Sequence, residues 1–244
     1  MPDQSVPDSV EVVVVGGGPA GLSTALNLAR ARRRVLVVDG NRPRHAATLI
    51  ARGFLTRDGV PPLELRRLGR EEVDAYDNAQ VVFAQVGSVE VEGTGFRVRA
   101  RGVRGGADVD VLAATLVLAT GVTETMPAIP SIRAYYGTQL HSCVECDGFE
   151  KADKPLALIG ESADLAERAL LLTQWTDDLI VFTNGIASVS ADEERALARL
   201  GVGVERRPID GLVGDKGVMT GVRLADGTVV ERAGGFVRPA WSPA

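Results

Sequence analysis

The chain opens with a pattern that it later repeats: a short β-branched or aliphatic run, a glycine turn, then apolar residues at helical spacing. Residues 11–15 include four consecutive valines, as expected of a strand buried on both faces. The turn Gly16-Gly17-Gly18-Pro19-Ala20-Gly21 follows at once, and Leu22, Ala25, Leu26 and Ala29 then recur at spacings that predict a helix. Residues 35–38 predict the next strand, which ends in Asp39. The pattern returns at Pro155-Leu156-Ala157-Leu158-Ile159-Gly160, with Leu165, Ala169, Leu170, Leu172 and Trp175 lining a second helix and residues 179–182 forming the strand after it.

Between these repeats, residues 40–60 hold Arg42, Arg44, His45, Arg52 and Arg57 with little periodicity and predict a long loop. Pro61-Pro62 opens a helix reaching Tyr76, with Leu63, Leu65, Leu68 and Val73 as its apolar members. Short strands are predicted at 81–86, 89–92, 96–101 and 109–112, an inserted β-meander, followed by a buried strand from Leu116 that ends at Thr120-Gly121. Beyond the stiff stretch Met126-Pro127-Ala128-Ile129-Pro130 come the second strand-turn-helix, a helix at 192–200 and strands between 202 and 230. The expected fold is α/β with two Rossmann-like dinucleotide-binding domains: residues 1–122 with the meander, residues 123–238, and residues 239–244 turning back toward the first.

Composition narrows the function classes. With 45% hydrophobic and 24% charged residues and a net charge of -5, the chain reads as a soluble globular protein without a nucleic-acid partner. No apolar run reaches membrane-spanning length and the start lacks the basic and apolar regions of a signal peptide, so a cytoplasmic protein with no membrane partner is expected. In a reducing compartment, the two cysteines are expected to be catalytic or metal-binding rather than a permanent staple.

Gly16, Gly18 and Gly21 fit G-x-G-x-x-G in its strand-turn-helix context. The first glycine permits the tight turn, the second lets backbone approach a pyrophosphate, and the third lets helix and strand pack closely. Pro19 and Ala20 complete the turn at the helix start, and Asp39 is placed to bond the ribose hydroxyls of an adenine dinucleotide. This fingerprint serves FAD and NAD alike. Thr120-Gly121, ending a buried strand, can lie against the same nucleotide. In the second unit Gly160 keeps the first position, while Ser162 and Leu165 replace the other glycines. Gly160 and Ser162 are the candidate nucleotide contacts there.

Both cysteines fall in Cys143-Val144-Glu145-Cys146-Asp147-Gly148. Two intervening residues let the sulfurs approach for a disulfide, and a thiolate in such a loop often has its pKa lowered toward about 7 from about 8.5. Asp147 can pass a proton to or from a sulfur as the bridge opens and closes. Cys-x-x-Cys is also half of a zinc site, but His45 and His141 are the sole imidazoles and the other half is missing, so no metal is expected. An inert disulfide and two idle buried thiols are the remaining readings.

In the order fingerprint, Thr-Gly strand end, Cys-x-x-Cys-Asp-Gly-Phe and second α/β unit, the sequence resembles the low-molecular-weight thioredoxin reductases over nearly its whole length. The resemblance implies an FAD domain interrupted by a pyridine-nucleotide domain that carries the redox pair. It also implies Cys146 facing the flavin, Cys143 attacking an external disulfide and Asp147 as the acid. NAD(P)H as electron donor, a thioredoxin-like protein or small-molecule disulfide as partner, and a homodimer are further implications.

Three departures bear on that reading. The second glycine pattern is lost at Gly160-Glu161-Ser162-Ala163-Asp164-Leu165, where Glu161 and Asp164 are poor neighbours for phosphate. Thr183-Asn184-Gly185-Ile186 stands where the family commonly places arginines for the 2′-phosphate of NADPH. The chain stops at Ala244, before the family's closing segment and its Gly-Asp turn, for which Gly214-Asp215 is no substitute. The expected function is an FAD-dependent disulfide oxidoreductase exchanging electrons between flavin, the Cys143/Cys146 dithiol and an external thiol or disulfide, its donor open. A flavin-dependent dithiol oxidase using oxygen and a truncated non-catalytic nucleotide-binding relative are the alternatives.

Overall fold

A computed structural model describes residues 5–244. The chain divides into two compact units. The first takes the residues up to Ala46, residues 62–123 and residues 243–244; the second takes residues 47–61 and 124–242. The expected boundary after residue 122 differs from this by one residue. The difference at 47–61 is larger, because that loop was expected with the first unit and packs within the second.

The first unit runs β1 (Ser9–Val15), α1 (Pro19–Arg30), β2 (Val35–Asp39), α2 (Pro62–Asp74), β3 (Ala79–Glu92), β4 (Gly95–Gly102) and β5 (Val109–Leu118). The strands pair in the order β1-β2-β3-β4-β5, and β5 returns to β1 to close the ring. Along the four-valine run, Val13 and Val15 enter one apolar cluster with Leu36, Val98 and Val111. Val12 and Val14 enter another with Leu22, Ala25, Val35 and Val73. This is why β1 shows no polar alternation: both of its faces are covered.

Two predicted strand breaks are absent. Residues 81–86 and 89–92 belong to one strand, β3, whose register against β4 shifts between Val86 and Ser88. The predicted strands at 109–112 and from Leu116 are likewise one strand, β5. Its first part pairs antiparallel with β4, Val109 opposite Ala100, and its later part pairs parallel with β1, Leu118 opposite Val15. The hydrophobic pattern changes where the partner changes, which in sequence looks like an interruption. In α2 the buried face differs from the expected one. It contains Pro62, Arg66 and Val73, while Leu63 is exposed.

The second unit contains α3 (Ile132–Tyr135), β7 (Leu140–His141), α4 (Val144–Asp147), β8 (Leu156–Gly160), α5 (Leu165–Leu172), β9 (Leu179–Phe182), α6 (Ala191–Ala198) and β10 (Gly203–Glu205), after a strand β6 (Val122–Thr125) at the crossing between units. It continues with β11 (Ile209–Asp215), β12 (Val218–Leu224), β13 (Val229–Glu231), β14 (Gly235–Arg238) and β15 (Ala240–Pro243), the last pairing with β6. A parallel sheet in the order β10-β9-β8-β14-β7 forms its centre. Leu156 and Leu158 of β8 pack with Leu165, Leu172 and Leu197 from α5 and α6. Ala157 and Ile159 face the opposite cluster with Leu212, Met219 and Val222, supplied by the separate antiparallel sheet β11-β12-β13. α6 begins with a reciprocal capping box between Ser190 and Glu193. Among the described residues, no helix is long and apolar enough to cross a membrane.

Candidate functional site

The fingerprint folds into a cradle at the end of β1. Gly16 has φ of +110°, and a Cβ there would lie 2.3 Å from the Ala119 carbonyl oxygen, so the position requires glycine. The same crowding brings Gly16 against Ala119 and Thr120, just beyond the end of β5. A Cβ on Gly21 would overlap the Gly16 carbonyl, whereas space at Gly18 is open. Gly18 caps α1, Pro19 and Ala20 begin it, and no acid stands in its first turn. The unpaired amides of a helix start then face open space, which fits a dinucleotide diphosphate.

Asp39, at the end of β2, is buried behind this turn. Its Oδ2 accepts a 2.7 Å bond from Arg66 Nη2, and its Oδ1 accepts from the Asn41 amide at 2.8 Å. Arg66 also donates to Asn41 Oδ1 at 3.0 Å. Arg66 is not among the residues that the sequence singled out. Pro62, Arg66, Gly69 and Val73 share one face of α2, where Gly69 packs against Leu22, but that spacing alone does not reveal a buried arginine.

The second constellation lies within the second unit, between β7 and β8. Cys143 and Cys146 are joined as a disulfide, with their Cα atoms 5.3 Å apart, and both are partly exposed. Cys143 caps α4, so the short helix holds the two sulfurs on one turn. Gly148 ends that helix because a Cβ there would lie 2.8 Å from the Trp175 indole and 2.7 Å from the Val144 carbonyl oxygen. Ahead of the pair, Glu124 accepts bonds from Tyr136 (2.6 Å) and Ser142 (2.9 Å), whose hydroxyls also meet each other. Behind the pair, Arg52 of the 47–61 loop pairs with Glu150 at 3.2 Å.

Burial pushes the Asp147 carboxyl up to about 6, against the opposing pull of Lys151. His141 Nε2 stands 3.6 Å from Asp147 Oδ1, and burial followed by the charge of Lys151 pushes this imidazole down to about 4. At neutral pH, a neutral imidazole therefore faces a carboxyl that still holds a proton part of the time. Asp147 thus brings a carboxyl that titrates near neutrality to the position directly after Cys146. His141 was weighed from sequence only as a zinc ligand, and Glu124, Tyr136 and Ser142 were not singled out, because the network joins them through side chains 18 and 6 residues apart and carries no local motif.

The second strand-turn-helix is built differently from the first. Ser162 Oγ donates to Asp164 Oδ1 at 2.6 Å, and Arg238 donates to Asp164 Oδ2 from Nε at 2.8 Å, with Nη2 ion-paired to the same oxygen at 2.6 Å. Glu161 Oε1 accepts from Asn184 Nδ2 at 2.7 Å, and Asn184 Oδ1 in turn accepts the Ile209 amide. Gly160 abuts side chains, with a Cβ there falling 2.8 Å from Leu165 and 2.9 Å from Arg238. These residues do not fit a pyridine nucleotide as the first turn fits a dinucleotide. Among the described residues, no cluster has the donors to hold a metal ion.

Residues 10–231 match the pyridine nucleotide-disulphide oxidoreductase family. A probable thioredoxin reductase of Arthroderma benhamiae is 32% identical over 176 residues, spanning 72% of this chain and 44% of that protein. The chain therefore covers less than half of this curated relative's length. Among solved structures, HlmI is 38% identical with a TM-score of 0.88, covering 98% of this chain and 74% of that one. An oxidoreductase from Agrobacterium tumefaciens is 33% identical with a TM-score of 0.85, covering 96% and 76%.

Proposed function

The chain belongs to the pyridine nucleotide-disulphide oxidoreductases and is thioredoxin-reductase-like, and on that premise we propose an FAD-dependent disulfide oxidoreductase in which Cys143 and Cys146 exchange electrons with flavin and with an external thiol or disulfide. The observation that carries this reading is the bridged, partly exposed cysteine pair with the half-buried Asp147 directly after it.

FAD would be held by the turn Gly16, Gly18, Pro19, Ala20 and Gly21, with Asp39 on the ribose side and Thr120-Gly121 at the neighbouring strand end. When bound, FAD supplies a carrier that takes up or releases two electrons. The remaining chemistry belongs to side chains. Cys143 is the sulfur that exchanges with the external partner, and Cys146 is the sulfur released when that exchange opens the bridge. Asp147 gives Cys146 its proton on opening and takes it back on closing. A thioredoxin-like protein or a small-molecule disulfide is the external partner.

The test is trapping. Cys146→Ser leaves the Cys143 thiol free to form a lasting mixed disulfide with a small disulfide, detectable by mass, whereas Cys143→Ser traps far less. Equal trapping by both variants would show the sulfur roles to be wrong. Unchanged flavin absorbance in the FAD-loaded protein when its dithiol is generated would sink the function itself.

A further inference from the structure

A nicotinamide nucleotide would need from the second unit what the first unit offers, an open turn ahead of a helix whose first amides can meet a diphosphate. The second turn is closed from within. Asp164 caps α5 and is held on one oxygen by Ser162 and on the other by the Arg238 guanidinium, through an Nε–H bond and an ion pair to Nη2. Arg238 is itself stacked over Trp241, its guanidinium carbon 5.8 Å from the ring centre. Glu161, ahead of the helix, is tied to Asn184, and Glu167 places an acid in the first turn of α5. A diphosphate on this turn would meet like charge where α1 presents none.

The arginines beyond the neighbouring strand ends are also engaged. Arg206 donates to both oxygens of Glu194, at 2.9 and 2.8 Å. Arg207 donates to Glu205 and to Asp226. Arg206 and Arg207, the cations that follow β10, are thus each paired with carboxylates of the same chain.

We propose that the second unit has exchanged its nicotinamide-nucleotide site for this internal Asp164–Arg238 lock, and that reducing equivalents enter from an external dithiol at Cys143–Cys146. The second half rests on the thiol–disulfide reading above; the first half does not. In the entry step, one external thiolate attacks Cys143 Sγ and breaks the Cys143–Cys146 bond. Cys146 leaves and takes a proton from Asp147. The second external thiol then attacks the mixed disulfide and displaces Cys143, which is protonated in turn. One external S–S bond forms for one broken and two electrons pass from the dithiol to the pair; the two protons shed by the dithiol go to solvent, which reprotonates Asp147 and supplies the proton for Cys143.

Two measurements on the FAD-saturated chain test this. Calorimetric titration with NADPH, and separately with NADH, should give no saturable binding up to about 1 mM, the weak end of ordinary enzyme affinities. Saturation below that concentration by either nucleotide overturns the closed-turn assignment. Under anaerobic conditions, dithiothreitol should bleach the flavin absorbance of the wild-type chain but not of Cys143→Ser, and neither nucleotide should bleach either protein. Bleaching by NADPH or NADH overturns the proposal while leaving the function of the pair standing. Failure of dithiothreitol to bleach the wild type overturns the thiol entry route and the reading it rests on, while calorimetric silence would still support the lock.

Discussion

Arg66 Nη2 lies 2.7 Å from Asp39 Oδ2, and both side chains are almost wholly withdrawn from solvent. The pair joins α2 to the end of β2, so a helix outside the fingerprint fixes the acid behind it. Breaking one partner leaves a buried, uncompensated charge, which typically costs about 3–5 kcal/mol. Arg66→Met should therefore lower stability by that order in chemical denaturation and weaken FAD binding in a fluorescence titration. The double variant Arg66→Met with Asp39→Asn should recover stability in part, because no charge is stranded, but should not recover FAD affinity.

The Asp147 carboxyl, pushed up to about 6 by burial, is protonated below that pH and loses its proton above it. Normalised to external thiolate, the rate of bridge opening should fall roughly tenfold per pH unit above about 6, as expected of a general acid. Asp147→Asn should lower the rate and flatten this limb. Stability moves in the corresponding sense. A raised carboxyl favours the folded state below the ordinary carboxylate range, and this contribution is lost as pH rises through about 6. Asp147→Asn should thus be at least as stable as wild type at pH 8, measured by urea unfolding.

Gly148 leaves no room for a side chain between the end of α4 and Trp175. Gly148→Ala should cost about 1–3 kcal/mol, the usual range for overpacking. Adding Trp175→Leu should recover part of the loss, since it removes the ring carbons that the new methyl meets. A thermal melt of the two variants decides this; no recovery would mean that the backbone contact with Val144 dominates.

Tyr136 and Ser142 hold Glu124 from two sides, and Ser142 directly precedes Cys143. Tyr136→Phe removes a hydrogen bond to a charged group, worth about 1.5–3 kcal/mol. The expected result is a lower unfolding midpoint together with faster alkylation of Cys143 after reduction, because the segment leading to it is released. A lower midpoint with unchanged alkylation would confine the network to stability.

Sequence and structure agree most closely where one residue type had one physical reason. Gly16 and Gly21 could be read in advance because a tight turn and a close packing each exclude a side chain, while Gly18 leaves an open approach. The valine run and the repeated strand-turn-helix were legible for the same reason. Arg66 was not, since a charged residue in a helix reads as solvent-facing until its partner on another element is known. The boundaries within β3 and β5 were hidden by changes of register and partner, which leave the strand continuous while altering its pattern. The engagement of Asp164 by Arg238 joins residues far apart in the chain. Sequence showed the acid at the turn but not the cation that answers it.

In the second unit's parallel sheet, β7 meets β14, and β14 lies between β7 and β8. The strand leading into the cysteine loop is therefore completed by residues made much later in synthesis. Until Gly235 and Phe236 have emerged, Leu140 and His141 have no place in that sheet, and closing so long an intervening loop is a slow, non-local step in folding. The cysteines thus spend the chain's nascent life on an unanchored segment. A protein caught at that stage would present its thiols without the buried acid environment of the finished loop, so chemical maturation of the pair is coupled to the last part of folding rather than the first.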